Sequence, residues 1–132
     1  MNILGIDFGL KKIGLALADS ESKLAIPWGT MKVKSSLDEV VEKIKDLCQR
    51  EKVGKIIIGL PESGLVEKIK RFGDNLAQAT NLSVFYEDEN LTSKEALAKM
   101  IESGIKKKAR QKKEDQIAAA LILQNYLEKN DV

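Results

Sequence analysis

The sequence predicts an α/β fold, with a mixed sheet of about five strands and helices on both faces. Three strand-like segments lie within residues 1–33 and are joined by short turns, whereas helical segments separate the later strands. Short turns connect antiparallel strands, and helical crossovers connect parallel ones. The order βββαβαβαα therefore gives a sheet with both kinds of pairing, and we expect residues 1–132 to form a single domain.

The first two strands are predicted from two apolar runs, Ile3–Gly9 and Ile13–Asp19, which a tight turn at Gly9–Lys12 connects. Such a turn pairs the strands antiparallel. Asp7 lies inside the first run with a glycine two residues away on either side, and glycine in a strand often marks the close approach of another backbone or a ligand. Because a carboxylate among apolar residues loses its water, Asp7 requires a donor, a cation or a metal.

The remaining elements are predicted from periodicity, caps and breakers. Pro27 places the third strand at an edge or a bulge, Ser36 and Glu39 form a capping box, and the unbroken apolar strand before Pro61 should be covered on both faces. We predict a strand over 24–33, a helix that is capped by Ser36 and ends near Lys52, a strand over 55–61 and a helix over 65–80. A strand over 82–86 and a loop over 87–90 follow. The remaining elements are a short helix that begins with Thr92 and Glu95 and ends at Gly104, a basic loop over 105–113, and a buried helix from Glu114 to about Glu128.

The composition excludes several classes of function. Histidine is absent and Cys48 is the only cysteine, which excludes His-based triads, zinc sites with His or clustered Cys ligands, and an internal disulfide. Cys48 lies in a helical pattern, so we expect a small core residue. The net charge is only +2, so a surface for nucleic acid would have to be local. No apolar run reaches about 18 residues and no signal-peptide pattern is present, so we expect a cytoplasmic protein without a membrane partner.

Three acidic residues are candidates for a catalytic metal site. Asp7 lies in the first strand, Glu89 just beyond the last strand, and Asp115 in the first turn of the last helix. Ligands of open α/β sheets bind beyond the carboxyl ends of the strands, and a helix N-terminus keeps a carboxylate ionised. Three carboxylates repel one another, and bound Mg²⁺ or Mn²⁺ would offset that repulsion. A pair of such ions can activate a water and stabilise the leaving oxygen in phosphodiester cleavage.

Each candidate also has a purely structural interpretation. Asp7 could be a hydrogen-bonded core carboxylate, Glu89 a solvated loop residue, and Asp115 a simple helix-start residue. The basic stretch before the last helix also has two interpretations. It either binds the phosphates of a nucleic-acid backbone beside the site or is a solvated loop. It contains no aromatic residue for base stacking and comprises Lys106, Lys107, Lys108, Arg110, Lys112 and Lys113.

Four segments together resemble the YqgF-type pre-16S rRNA nuclease family, also called Holliday junction resolvase-like proteins. Their order and spacing cover essentially the whole chain, and they are Gly5–Ala16, Ile58–Pro61, Asp88–Ser93 and Asp115–Ala120. The resemblance implies an RNase H-like fold and a carboxylate metal site made by Asp7, Glu89 and Asp115. It also implies a role in maturing the 5′ end of small-subunit ribosomal RNA, or in cutting DNA junctions, as was proposed earlier for the family.

The sequence departs from the family pattern at three places. The arginine after the glutamate is replaced by Asn90, the threonine after Asp-x-Gly is replaced by Leu10, and the longer loop after Gly-Leu-Pro is shortened to Glu62-Ser63-Gly64. These changes affect expected contacts with the substrate backbone. They leave the three acids in place.

Three functions follow from the sequence. The first is a metal-dependent endonuclease acting on structured nucleic acid, with a ribosomal RNA precursor as substrate and DNA still open, because phosphate contacts read neither sugar nor sequence. Its expected substrate-binding residues are Lys11, Lys12, Lys106, Lys107, Lys108 and Arg110. The second is a nucleotide-binding domain, since Asp-x-Gly before a turn also resembles the first phosphate loop of actin-like ATPases, although those folds need two lobes. The third is a catalytically weakened RNA-binding assembly factor.

Overall fold

The computed structural model describes residues 1–89 and 114–129. It contains one five-stranded sheet with the spatial order β3-β2-β1-β4-β5. The elements are β1 Asn2–Asp7, β2 Lys12–Asp19, β3 Ala25–Lys32, α1 Leu37–Arg50, β4 Val53–Leu60, α2 Val66–Thr80, β5 Ser83–Asp88 and α3 Glu114–Lys129. The predicted α/β fold is confirmed, whereas the helix predicted from Thr92 and the basic loop over 105–113 lie outside the described residues.

The sheet is mixed because its connections change along the chain. The turns after β1 and β2 give antiparallel pairs, and the register aligns Asp7 with Gly14. β4 is parallel to β1 on one side and to β5 on the other. The carboxyl ends of β1, β4 and β5 therefore lie at the same edge of the sheet, as predicted for Asp7 and Glu89.

Helices cover both faces of the sheet. α1 and α2 pack on one face against Ile56 and Ile58, and α3 packs on the other against Ile57. β4 is therefore buried on both sides, as its unbroken apolar sequence predicts. Cys48 is a buried core residue of α1, as predicted, and burial raises the pKa of its thiol to about 11. Among the described helices, none combines the length and the apolar character that a membrane span requires.

A buried amide fixes α3 to the beginning of β3. The side chain of Gln124 is fully buried, and its Oε1 accepts a hydrogen bond of 2.8 Å from the backbone N–H of Ala25. Its Nε2 donates to the carbonyl oxygen of Lys23 at 3.1 Å and to Oε1 of Glu128 at 3.0 Å. Because the buried amide has partners on both its oxygen and its nitrogen, it stabilises the contact between helix and sheet.

The predicted effect of Pro27 is confirmed. β3 is an edge strand, and its register with β2 shifts beside this residue. Leu15 pairs with Gly29 and Ala16 pairs with Pro27, which leaves Trp28 as an extra residue in β3. This β-bulge reverses the faces to which the following side chains point.

The first helix begins as predicted. Ser36 is its N-cap, and the Ser36 Oγ accepts a hydrogen bond of 3.4 Å from the backbone N–H of Glu39. The Glu39 carboxylate accepts a hydrogen bond of 3.2 Å from the Ser35 hydroxyl. The N-cap at Ser36 is therefore confirmed, whereas the second half of the predicted capping box is wrong, because Glu39 bonds to the Ser35 hydroxyl and not to the Ser36 backbone N–H.

The loop predicted over 87–90 is wrong at its first two residues. β5 continues through Asp88, and Glu87 pairs with Gly59 in the ladder. The Glu87 side chain is buried, and its Oε1 accepts a hydrogen bond of 2.8 Å from Lys129 Nζ and one of 3.4 Å from Asn125. The acidic sequence at this point has a low strand propensity and therefore indicates a loop. The strand nevertheless continues, because Glu87 finds partners on α3.

Candidate active site

Asp7 is the last residue of the central strand β1 and lies at the carboxyl edge of the sheet. Its side chain is half-buried. Burial, a hydrogen bond with Glu89, and the negative charges of Glu89 and Asp115 raise the pKa of Asp7 from its ordinary 3.8 to about 8. Near neutral pH, the metal-free site therefore retains a proton between Asp7 and Glu89.

Glu89 reaches Asp7 by crossing the end of β4. Glu89 follows β5, and β4 lies between β5 and β1. A Cβ atom added to Gly59 of β4 would lie only 2.8 Å from both Cγ and Oε1 of Glu89. Adjacent strands are about 4.8 Å apart, so the glutamate must extend over the middle strand to meet Asp7. The absence of a side chain at Gly59 leaves the space for it.

Asp115 is the second residue of α3, and its backbone lies against β2. A Cβ atom added to Gly14 would overlap the carbonyl oxygen of Asp115. Gly14 is the register partner of Asp7, so this close contact brings the beginning of α3 beside the carboxyl edge. Asp115 acts on Asp7 through its charge, which is the smallest of the contributions to the raised pKa.

The structure thus brings the three predicted acids to one edge of the sheet. Asp7 and Glu89 form a hydrogen-bonded pair, and Asp115 adds negative charge. Within residues 1–89 and 114–129, no group of three or more acidic or cysteine side chains is placed so that it could hold a metal ion, so Asp7 and Glu89 are a pair rather than part of a complete ligand set. A carboxyl pair that shares a proton fits a divalent cation, because the cation supplies the positive charge that the proton otherwise provides. The catalytic and metal-binding roles stay predictions.

The predicted substrate-binding lysines lie in two parts of the chain. Lys11 and Lys12 are exposed in and after the turn between β1 and β2, and the carbonyl oxygen of Lys11 accepts a hydrogen bond of 2.8 Å from Val33 N–H. This bond ties the turn to the end of β3. The other predicted substrate-binding residues lie outside the described residues and are Lys106, Lys107, Lys108 and Arg110. Asn90 lies outside them as well.

The sequence of the chain matches one protein family over almost its whole length. The family model described as RuvX, Holliday junction resolvase, matches residues 1–129. This chain belongs to that family. A relative from Agathobacter rectalis, named "Putative pre-16S rRNA nuclease", is 39% identical over 97% of this chain and 95% of its own length. A relative of the same name from Lactococcus lactis is 37% identical over 96% of this chain and 93% of its own length.

Solved structures agree on the fold. The RuvC structure from Thermus thermophilus has a TM-score of 0.66 and 17% identity, over 98% of this chain and 95% of that chain. At this identity the likeness concerns the fold, which is RNase H-like. The predicted family, the RNase H-like fold and the enzyme class, a hydrolytic nuclease, are therefore confirmed.

Two features of the site were missed in the sequence. Gly14 and Gly59 provide the space for Asp115 and Glu89, and a glycine inside an apolar strand is the signal that could have indicated this. Lys32 pairs directly with Lys12 across β2 and β3. Pro27 predicts an edge or a bulge in this strand but not the register beyond it, so the sequence did not indicate this pairing.

Proposed function

We propose that the protein is a metal-dependent endonuclease that hydrolyses phosphodiester bonds in structured nucleic acid, with the 5′ end of pre-16S ribosomal RNA as its substrate. The observation that carries the proposal is the Asp7–Glu89 carboxyl pair at the carboxyl edge of the sheet, under the charge of Asp115. The family and the name of the curated relatives support the same reaction class.

Asp7, Glu89 and Asp115 would hold Mg²⁺ or Mn²⁺. When bound, such an ion activates a water and stabilises the leaving oxygen of a phosphodiester. The two paired carboxyls offer oxygen ligands of the hard type that these ions prefer. Because the chain contains no histidine, no imidazole base competes with these carboxyl groups for the role.

The residues of this chain have three tasks in the proposed reaction. Asp7 and Glu89 share a proton when no cation is present, and they would have to give it up to act as ligands of a cation. The start of α3 holds Asp115 against the sheet through its contact with Gly14. Lys11 and Lys12 lie on the adjacent turn, from which exposed cations reach the flanking phosphates of a substrate.

A second candidate is cleavage of DNA junctions. It is favoured by the description of the matching family as a Holliday junction resolvase. A structure of T. thermophilus RuvC in complex with a Holliday junction substrate shares the fold, with a TM-score of 0.61 and 16% identity over 98% of this chain and 94% of that chain. The same carboxylates would perform the chemistry, so substrate preference alone separates the two candidates.

The test is a cleavage assay with two labelled substrates, a pre-16S RNA with its 5′ extension and a four-way DNA junction. Each is incubated with Mg²⁺, Mn²⁺ or chelator. The variants are Asp7→Asn and a control, Asp46→Asn, which removes an exposed acid of α1 on the other face of the sheet. We expect metal-dependent cleavage of the RNA by the native protein and by Asp46→Asn, and a loss of roughly 1,000-fold or more for Asp7→Asn.

Each alternative gives a different result. Cleavage of the junction alone would favour the resolvase. Binding of RNA without cleavage in any metal would favour the weakened assembly factor. Equal cleavage by Asp7→Asn and the native protein would contradict the proposed site.

A further inference from the structure

Two lysines face each other at the end of the sheet. Lys12 and Lys32 are register partners across β2 and β3, and both are exposed. Like charges directly opposite each other destabilise a strand pair. Among residues 1–89 and 114–129, neither lysine forms an ion pair that would offset this repulsion. The pairing therefore has a cost to the fold that an anionic ligand would remove.

The register places both lysines on the same face of the sheet as Asp7. Gly14 faces α3, since a Cβ atom there would meet the backbone of Asp115, and its register partner Asp7 shares that face. Side chains alternate along a strand, so Lys12, two residues before Gly14, also points to the α3 face. Lys32 shares this face as the partner of Lys12. The pair lies one two-residue step, about 7 Å, beyond the row that contains Asp7.

The bulge at Trp28 creates this arrangement. Ala25 belongs to the core on the α3 face, whereas Met31 packs against the core on the α1 and α2 face. They are six positions apart along the chain, so a regular strand would place both on one face. The extra residue reverses the alternation and brings Lys32, rather than Met31, opposite Lys12. Bulges beside active sites often redirect a side chain in this way.

We propose that Lys12 and Lys32 form a phosphate-binding pair for the nucleic-acid backbone that runs past Asp7. The proposal rests on the proposed nuclease function and assigns to Lys32 a role in binding the substrate. The ligand chemistry is the phosphodiester group, which RNA and DNA share. Two cations carried on one face of adjacent strands repel each other, and a phosphodiester group bound between them would offset that repulsion and release counterions.

The experiment measures equilibrium binding over a salt series, in chelator so that the probe stays intact. The probes are a fluorescein-labelled RNA hairpin with a single-stranded 5′ tail and a labelled four-way DNA junction. The variants are Lys12→Gln, Lys32→Gln and Lys32→Arg. The matched control is Lys68→Gln, which removes an exposed lysine from α2 on the opposite face.

We expect each glutamine variant of the pair to reduce the slope of log affinity against log salt by about 0.7–0.9, the value for one lost phosphate contact. Lys32→Arg should keep the native slope, because it keeps the charge. Lys68→Gln should bind like the native protein. Thermal melting of Lys32→Gln should give a native or higher Tm, since the change relieves a repulsive cross-strand pair.

The outcomes separate this inference from the proposed function. If the native protein binds the probes and Lys32→Gln has the same slope as Lys68→Gln, the lysine pair has no role and the inference is overturned. If the native protein neither binds nor cleaves either nucleic acid, the proposed function fails and the inference fails with it. A reduced slope for both glutamine variants, with Lys32→Arg native-like, supports the pair.

Discussion

At the scale of single residues, the site depends on two carboxyl groups and the glycine that lies between their strands. Asp7 ends β1 and Glu89 follows β5, two strands that are not neighbours in the sheet, and Gly59 leaves the space through which the side chains meet. Their hydrogen bond requires one proton in the absence of a cation. The pair therefore links protonation to stability at one position, and in the proposed function it links both to metal binding.

The first prediction concerns the pH dependence of the metal-free protein. The pKa of Asp7 is raised by burial, by its hydrogen bond with Glu89 and by the negative charges of Glu89 and Asp115, so between about pH 4 and pH 8 the folded state retains a proton that the unfolded chain releases. The stability contributed by this group is full below about pH 4 and is lost as pH rises through about 8. Asp7→Asn cannot titrate and so does not lose this stability. The free energy of unfolding of the variant minus that of the native protein should therefore increase as pH rises from 5 to 8.

Urea denaturation in chelator at several pH values measures that difference. Asp46→Asn controls for the general loss of one acid from the surface, and its difference from the native protein should stay constant. A constant difference for Asp7→Asn as well would mean that Asp7 is ionised throughout this range.

At the scale of elements, α3 is the part that assembles the site. It packs on the face of the sheet that carries Asp7, and it brings Asp115 to Gly14 and the buried Gln124 to the beginning of β3. The helix is apolar on nearly all sides, so its burial is predictable from sequence. Its position along the sheet is fixed by these close contacts.

The second prediction tests the contact at Gly14. Gly14→Ala should destabilise the protein by roughly 1–3 kcal/mol, because the new methyl group overlaps a backbone carbonyl that cannot rotate away. It should also reduce cleavage, since the beginning of α3 must move away from Asp7. The matched control is Gly29→Ala in the neighbouring strand, where nothing lies within 4 Å of the added atom. Chemical denaturation and the cleavage assay measure the two effects, and equal behaviour of the two variants would contradict the packing argument.

The third prediction compares two ion pairs of different burial. Lys129 Nζ lies 2.8 Å from Glu87, whose side chain is 7% exposed, whereas Lys43 Nζ lies 3.5 Å from Glu39 on the surface of α1. Lys129→Met should cost roughly 1–2 kcal/mol, because it leaves a buried carboxylate with a weaker set of partners. Lys43→Met should cost less than about 0.5 kcal/mol. Thermal melting of both variants checks this, and similar shifts in Tm would mean that the Glu87 pair does not join β5 to α3.

At the scale of the whole molecule, the net charge is small, but the charges that concern the proposed function are grouped at one edge of the sheet. The net charge is only +2, yet the acids gather at one edge and lysines lie on the turn and strand end beside them. In the proposed function, such an arrangement would attract a polyanion to the edge at which the carboxylates would hold a cation. Affinity for nucleic acid should accordingly fall steeply with salt.

The fourth prediction concerns the basic stretch of the sequence before α3. Replacing Lys106, Lys107 and Lys108 by glutamine should flatten the plot of log affinity against log salt by up to roughly 2–3 units, because each lysine that contacts a phosphate releases counterions. The control is the same number of glutamines on α2, at Lys68, Lys70 and Arg71. An unchanged slope would identify the stretch as a solvated segment without a role in binding.

The sequence by itself determined the kinds of elements, their order and the identity of the three acids. Strand alternation, turn residues and caps are local properties, so the first hairpin, the edge position of β3 and the N-cap at Ser36 follow from neighbouring residues. The isolated charge of Asp7 in an apolar strand is equally local. These features need no knowledge of distant contacts.

Only the tertiary structure decided how these parts meet. β5 extends to Asp88 because Glu87 finds partners on α3, and Lys32 lies on the face of the sheet that carries Asp7 because one extra residue shifts the register of β3. The pairing of Asp7 with Glu89 likewise depends on the strand order and on the space above Gly59. Each of these results joins residues distant along the chain or depends on a one-residue register, and the energies that decide them arise only when the sheet and α3 are packed together.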